Sequence, residues 1–352
     1  MSVKVKIIGA GSIGNHLAQA SRRIGWDVTV VDANRDALKR MKDDIYPTRY
    51  GMWDSRIKLA HMSEEPKGGF DIVMIGTPPD SHLKLALAAL REKPRVLQIE
   101  KPLCPPCDPL LSRFLAAAKK SRTKIIVGYD HTVGASIEYV ASHIQMLGTP
   151  LTLDVEFREH WQGIFKAHPW LSGPSDSYLG YWKRGGGASG EHSHALHLYQ
   201  YLAKEMGLGT WKKVVPHLTV EKAAGGVQYD SVASFGFEMS KGRYGRVIQD
   251  VITLPTRKWA RAQGSDGFIE WICGGSPKGD IVRHALKGKK LEEKVFEKTR
   301  PDDFLREVKH IDKILKGKQS AATSPMSLES AVAVIRVLEK TWKSKSKVAI
   351  SL

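Results

Sequence analysis

The sequence predicts an α/β protein of two domains, a doubly wound parallel sheet followed by an α+β domain with a large open, mostly antiparallel sheet. Apolar runs of strand length alternate with helix-patterned segments up to residue 127. A glycine-rich turn joins the first of those strands to the first helix. Beyond residue 128, strand-like stretches follow one another without intervening helices, so the sheet there is antiparallel or mixed. With 352 residues and 42% hydrophobic content the chain exceeds one ordinary core, and it divides into residues 1–127 and 128–352.

The first strand, Val5 to Gly9, meets Gly9-Ala10-Gly11-Ser12-Ile13-Gly14, and a helix pattern follows from Asn15 to Ile24. Strand, turn and helix in that order make a dinucleotide-binding fingerprint. Gly9 permits the tight turn, Gly11 lets the backbone approach a pyrophosphate, and Gly14 allows close helix packing. Ser12 and Ile13 open the helix whose N-terminus faces the phosphates. The next strand, Asp27 to Val31, ends in Asp32, the acidic side chain expected at the adenosine ribose. A carboxylate there favours NAD by repelling a 2′-phosphate. Arg35, three residues on, is suited to accept one, so NADP stays open.

Phe70 to Ile75 is a strand, followed by Gly76-Thr77-Pro78-Pro79-Asp80-Ser81-His82 and a helix through Arg91. Thr77, Pro78, Pro79 and His82 are expected beside the nicotinamide half of the cofactor. The strand Val96 to Ile99 then delivers Glu100-Lys101-Pro102. Ligands of such sheets bind outside the carboxyl ends of the strands, so Glu100 and Lys101 join the cofactor set and Lys101 also points toward substrate. A helix from Pro109 to Ser121 and the strand Lys124 to Gly128 complete the alternation.

Cys104-Pro105-Pro106-Cys107 has the spacing of a redox or half-metal motif. Zinc would need two more ligands, and the only other cysteine is distant Cys273, so the pair reads as structural and no metal is expected. Three cysteines suit a reducing cytoplasm. The N-terminus alternates like a strand and lacks a signal h-region, and no long apolar run occurs, so neither secretion nor a membrane partner is expected. The net charge of +17 is scattered rather than gathered into an arm, which reads as solvated surface rather than a nucleic-acid partner.

In the second domain the strands are Leu151 to Arg158, Val227 to Met239, Gly245 to Leu254 and Gly267 to Cys273, with a last amphipathic helix from Leu328 to Trp342. The dense segment is Gly185-Gly186-Gly187-Ala188-Ser189-Gly190-Glu191-His192-Ser193-His194-Ala195-Leu196-His197. At three-residue spacing Glu191, His194 and His197 are expected on one helical face. No zinc-protease spacing is present, and a histidine beside a carboxylate suits proton transfer at a substrate hydroxyl. Around it, Arg158-Glu159-His160-Trp161, Lys166-Ala167-His168-Pro169-Trp170-Leu171 and Asp176 to Arg184 interleave bases and aromatics. Such a surface suits a sugar, with Trp161, Tyr181, Arg184 and His197 as the expected contacts.

Together these segments resemble the glucose-fructose oxidoreductase and inositol dehydrogenase family. The matching pieces include the glycine turn, Thr77-Pro78-Pro79-Asp80-Ser81-His82, Glu100-Lys101-Pro102, Gly128-Tyr129-Asp130, Gly185-Gly186-Gly187 with its histidine, Gly264-Ser265-Asp266-Gly267 and Ser324-Pro325-Met326-Ser327-Leu328-Glu329. The resemblance implies an N-terminal Rossmann domain and NAD(P)-dependent hydride transfer at a hydroxyl or keto carbon of a sugar, polyol or sugar derivative. The basic surface and the aromatic segment suggest a phosphorylated or nucleotide-linked one. It also implies catalytic roles for Lys101 and His194, a substrate contact at His131, and a homodimer or homotetramer formed through the C-terminal sheet. Where the family shows Asp-x-x-x-His, this chain has Glu191-x-x-His194. Either Glu191 replaces the aspartate with one residue deleted, or the aspartate's position falls on Gly190. The rival reading is a non-catalytic NAD-binding regulatory protein on the same fold.

Overall fold

The computed structural model describes residues 2–166 and 170–344. Ala167, His168 and Pro169 of the expected aromatic segment lie outside the described residues. Two compact units emerge, the first comprising the chain up to Cys104, Asp108–Val133 and Arg300–Ala331, the second Pro105–Cys107, Gly134–Thr299 and the chain from Val332.

In the first unit the strands are β1 (Lys4–Ile8), β2 (Asp27–Asp32), β3 (Lys58–His61), β4 (Ile72–Ile75), β5 (Val96–Ile99) and β6 (Lys124–Val127), in the order β3-β2-β1-β4-β5-β6. Every neighbouring pair is parallel. Parallel strands are covered on both faces, and β4 accordingly buries all four of its residues, Ile72 to Ile75. The exception is Lys6 in β1, fully buried, whose Nζ is neutralised by Glu92 at 2.7 Å and Glu65 at 3.4 Å. The chain moves outward from β1 in one direction and from β4 in the other, so the turns after β1, β4 and β5 share the carboxyl edge where this topology opens a crevice.

On the chain's first pass the first unit runs to Val133, where the sequence suggested a boundary at residues 127 and 128. Arg300–Leu315, a helix not anticipated from the sequence, returns to the first unit. Its Phe304, Val308 and Ile311 are buried in one core with Leu17 and Ala18 of the helix Ser12–Arg23. Phe304 stacks on His16 with ring centroids 4.4 Å apart. The nucleotide-side helix layer therefore needs a segment almost 300 residues downstream of it, which no local pattern reveals.

The second unit contains β7 (Pro150–Arg158), β8 (Trp211–Lys222), β9 (Gln228–Met239), β10 (Tyr244–Asp250), β11 (Arg257–Gly264), β12 (Gly267–Ser276), β13 (Gly279–Leu286) and β14 (Glu292–Glu297). Their order is β14-β13-β12-β11-β7-β10-β9-β8, antiparallel throughout except for the parallel pair β7 and β10. One face buries Leu153, Val155 and Phe157 with Phe235, Phe237, Val247 and Trp271 in a core shared with Ile137, Val140, Leu198, Tyr199 and Leu202 from two helices. On the other face ion pairs join Arg246 to Asp154 at 2.8 Å and Arg257 to Glu156 at 3.0 Å, and the Arg261 guanidinium lies 3.7 Å over the Phe268 ring. Near the end of the helix Leu328–Lys343, Trp342 stacks on Trp182 with centroids 4.4 Å apart. Among the described residues no helix is long and apolar enough to cross a membrane.

Phe304→Ala should lower stability by about 3–4 kcal/mol, the usual cost of emptying a buried aromatic site. Denaturant unfolding of the full chain measures this, and a loss below about 1 kcal/mol would mean that the helix Arg300–Leu315 adds little to the first core.

Candidate active site

The glycine turn after β1 is held by steric necessity. Gly9 has φ +111°, and a Cβ there would lie 2.8 Å from the Gly76 carbonyl oxygen. A Cβ on Gly14 would sit 1.8 Å from the Gly9 carbonyl oxygen, so only glycine lets the helix start this close to the strand. Around Gly11 a Cβ would meet nothing within 4 Å, which leaves the backbone open to an approaching ligand. The helix Ser12–Arg23 begins with no side-chain cap on its first N–H groups. Uncapped donors beside open space are what a pyrophosphate requires.

Asp32 ends β2 with one carboxylate oxygen accepting the Ala10 N–H at 2.7 Å and the other accepting the Asn34 N–H at 2.8 Å. It thereby fixes the turn it adjoins and remains half-buried at the strand end. Arg35, the residue suited to a 2′-phosphate, is exposed and paired with the exposed Glu64. Two residues overlooked in the sequence support the same turn. The Asn15 Nδ2 donates to the Gly11 carbonyl at 2.8 Å. Arg49, on the short helix Tyr46–Tyr50, donates to both the carbonyl and the hydroxyl oxygen of Ser12 at 3.0 Å. Neither lies in a recognisable motif; Arg49 comes from a connection after β2 whose path only the fold defines.

At the end of β4, Thr77 and Ser81 hydroxyls meet at 2.6 Å, and Pro79 opens the helix Pro79–Arg91. His82 does not present itself to a ligand as expected. It is fully buried, with Nδ1 3.0 Å from the Pro102 carbonyl oxygen and Nε2 2.7 Å from that of Thr77. The ring is a strut between the turns that follow β4 and β5. Glu100 is likewise buried, one carboxyl oxygen accepting from Gln98 Nε2 at 2.8 Å and the other from the Lys101 N–H at 3.3 Å. Burial, reinforced by nearby Asp130, pushes its carboxyl up to about 7. Lys101 itself is half-buried at the crevice edge and precedes a cis peptide to Pro102. His131 is buried in the turn Asp130–Val133, beside Asp130, whose carboxylate pairs with Arg300 at 3.3 Å.

In the second unit the glycine run packs around Asp230, which is completely buried. Gly187 has φ +80°, and a Cβ there would come 2.2 Å from an Asp230 carboxyl oxygen. Asp230 accepts the Ser189 N–H at 2.7 Å and hydroxyl at 3.1 Å, while burial pushes its carboxyl up to about 7. The expected single helical face is corrected here. One helix, Gly187–Glu191, ends at Glu191 and a second, His194–Glu205, begins at His194. His192, with ψ +24°, breaks the spiral, and its carbonyl is taken by the Ala195 N–H at 2.8 Å and by Gln249 Nε2. Glu191 and His194 therefore sit on different helices, and Glu191 accepts from the Tyr178 hydroxyl at 3.3 Å. His194 and His197 do share the first turn of the second helix, both buried, with His194 parallel to Phe157 at 6.3 Å between centroids.

Trp161 stacks on Phe165 at 5.5 Å and meets Tyr229 edge-on at 5.6 Å, within a small apolar cluster of Ile164, Leu179, Ala188 and Val251. Its buried Nε1 has no hydrogen-bond partner among the described residues. Tyr181 donates to the Ser175 carbonyl at 3.4 Å, and the exposed Arg184 guanidinium lies 5.8 Å from its ring centre. Cys104 and Cys107 are not joined in a disulfide; Cys104 is buried, and burial pushes the Cys107 thiol up, away from a reactive thiolate.

Residues 3–129 match the family described as "Oxidoreductase family, NAD-binding Rossmann fold". Among solved structures, levoglucosan dehydrogenase in complex with NADH and levoglucosan superimposes with a TM-score of 0.76 at 15% identity, covering 98% of this chain and 97% of that one. GenD2 from gentamicin A biosynthesis in complex with NAD gives 0.73 at 18% identity, covering 98% and 95%. An aldose-aldose oxidoreductase from Caulobacter crescentus complexed with glycerol gives 0.72 at 17% identity, covering 97% of each chain. At such identities the likeness establishes the fold of the whole chain. No curated protein matches the sequence.

Two glycine substitutions separate the roles of the turn. Gly11→Ala should keep the melting temperature yet weaken dinucleotide binding about tenfold or more, because its side chain enters open space that the ligand needs. Gly14→Ala should lower stability by about 3 kcal/mol or more through the clash with Gly9. Thermal melts and titration of nicotinamide fluorescence read the two effects apart.

Proposed function

Since residues 3–129 carry the NAD-binding Rossmann fold of an oxidoreductase family, we propose that the protein is an NAD(P)-dependent oxidoreductase acting at a hydroxyl or keto carbon of a sugar, polyol or sugar derivative. The carrying observation is the placement of Lys101 at the end of β5, on the same carboxyl edge as the open Gly11 turn and the Thr77 turn. A cation there meets whatever lies beside the nicotinamide end of a dinucleotide bound along that edge. Bound NAD supplies the hydride acceptor or donor.

The chain's own residues do the rest. Gly9 to Gly14 and Asp32 bind the cofactor through backbone N–H groups and a carboxylate, with Arg49 and Asn15 stiffening the turn. Lys101 Nζ donates a hydrogen bond to the reacting oxygen and stabilises negative charge as it develops. His194 accepts the hydroxyl proton during oxidation and returns it in reduction. Glu191, which ends the preceding helix and accepts from the Tyr178 hydroxyl, is the proposed acid that accompanies His194 at the substrate. Trp161, Tyr181, Arg184, His197 and His131 are the proposed substrate contacts, and the unpartnered Trp161 Nε1 is suited to a hydroxyl. Asp32 favours NAD; Arg35 admits NADP if a phosphate displaces Glu64. The basic surface supports a phosphorylated or nucleotide-linked substrate. The second face of the open sheet, with Trp259 and Phe268 among its ion pairs, supports association into a homo-oligomer.

Sugars and sugar nucleotides screened for a change in nicotinamide absorbance test the reaction. Turnover with one of them is the expected result, and cofactor binding without turnover across the whole set would favour a non-catalytic regulator. With the responding substrate, Lys101→Ala should lower kcat by about 10²-fold or more while NADH binding changes little; undiminished turnover would remove Lys101 from the mechanism. Arg49→Ala should weaken NADH binding about tenfold, the value of one charged hydrogen bond, without changing the kcat pattern across substrates. Fluorescence titration checks it.

A further inference from the structure

Behind Lys101 lies a set of buried acids that the proposed reaction does not use. Glu100 and Glu307 are 5% and 0% exposed, and both carboxyl groups accept from the same amide nitrogen, Gln98 Nε2, at 2.8 Å and 3.1 Å. Gln98 is itself fully buried. The other oxygen of Glu307 and the Gln98 carbonyl oxygen have no hydrogen-bond partner among the described residues. Space for the Glu100 carboxyl exists because Gly128 carries no side chain; a Cβ there would lie 2.5 Å from Glu100 Oε1.

The charges around the pair do not balance when all are ionised. From β5 and its end come Glu100 and Lys101, from the turn after β6 Asp130, and from the helix Arg300–Leu315 come Arg300, Asp303 and Glu307. Arg300 is shared by Asp130 at 3.3 Å and Asp303 at 3.4 Å. Arg300 also acts on Glu100 and Glu307, and Lys101 on Glu100, so two cations serve four buried acids. Two carboxylates in one dry site do not both ionise near neutral pH unless each has a cation, so one of them keeps a proton.

We propose that Glu100, Gln98 and Glu307 form a carboxyl–amide–carboxyl unit that holds one proton at neutral pH and couples it to Lys101, making Glu307 a positioning residue for the lysine. The direction of both groups agrees: burial and repulsion from Glu100 raise Glu307 well above the ordinary glutamate range, and burial and repulsion from Asp130 raise Glu100 to about 7. Such a pair titrates as a unit, so the proton belongs to neither side chain alone. The inference concerns the first unit by itself; only the link to Lys101 leans on the proposed reaction.

The stability consequence has a definite sign. A carboxyl raised on folding leaves the unfolded chain more deprotonated, so its stabilisation is complete at acid pH and is lost as pH rises toward about 7. Denaturant unfolding at pH values between about 5 and 8 should show the wild-type folding constant falling by about tenfold or more relative to Glu307→Gln, which keeps shape and hydrogen bonding but cannot ionise. Asp312→Asn, at a half-buried residue paired with Lys316 on the same helix, should track wild type. The infrared band of a protonated buried carboxyl should change in Glu307→Gln and not in Asp312→Asn. Lys101→Met should extend the wild-type stability loss to higher pH and enlarge it, because the pair then resists ionisation more strongly and its apparent titration shifts upward. Parallel pH profiles for wild type and Glu307→Gln, with an unchanged infrared band, would overturn the shared proton; an unshifted profile in Lys101→Met would overturn its coupling to the lysine. None of these readouts needs a substrate, so they succeed or fail independently of the sugar reaction.

Discussion

The packing of Gly14 against the Gly9 carbonyl, which leaves no space for a Cβ, sets where the first helix starts. With no room for even one carbon between them, the helix Ser12–Arg23 starts directly at the end of β1. Its uncapped N–H groups then lie on the carboxyl edge of the sheet, where Thr77 and Lys101 also emerge. Asp32, Asn15 and Arg49 add hydrogen bonds to the same turn from β2, from the helix and from the connection beyond it. The polar contacts stiffen a geometry that the steric contact has already chosen.

Buried polar groups organise the second unit in a comparable way. Asp230 fills the space that Gly187 leaves and ties down Ser189, so the glycine run is shaped around an acid contributed by β9. Gln249, from β10, holds the carbonyl at the helix break. The histidines after that break are thus positioned by strands far away in sequence.

This explains what could and could not be read from the chain. Five of the six parallel strands, the glycine turn, Asp32 and the lysine at the end of β5 all depend on local pattern and were legible. The short strand β3 was not, because its edge position demands few apolar residues, and β8 was obscured by Pro216, tolerated on an edge strand. Three-residue spacing suggested one face for Glu191 and His194, but a spacing rule holds only while the helix is continuous, and His192 ends it. His82 looked like a ligand by its neighbourhood and proved to be a strut, since burial and two carbonyl partners are invisible in a sequence. Arg49 and Glu307 carry no motif; tertiary contact alone gives them meaning.

The return of Arg300–Leu315 to the first core has a bearing on how the protein is made. A ribosome releases the whole of the β1 to β6 region long before it releases Phe304, so the nascent Rossmann sheet waits with an apolar helix flank uncovered. During that interval the flank is exposed apolar surface, and the second unit's β strands emerge while it is still open. Synthesis of a fragment ending after β6 would leave the flank open permanently, an arrangement suited to aggregation rather than to an autonomous nucleotide-binding module.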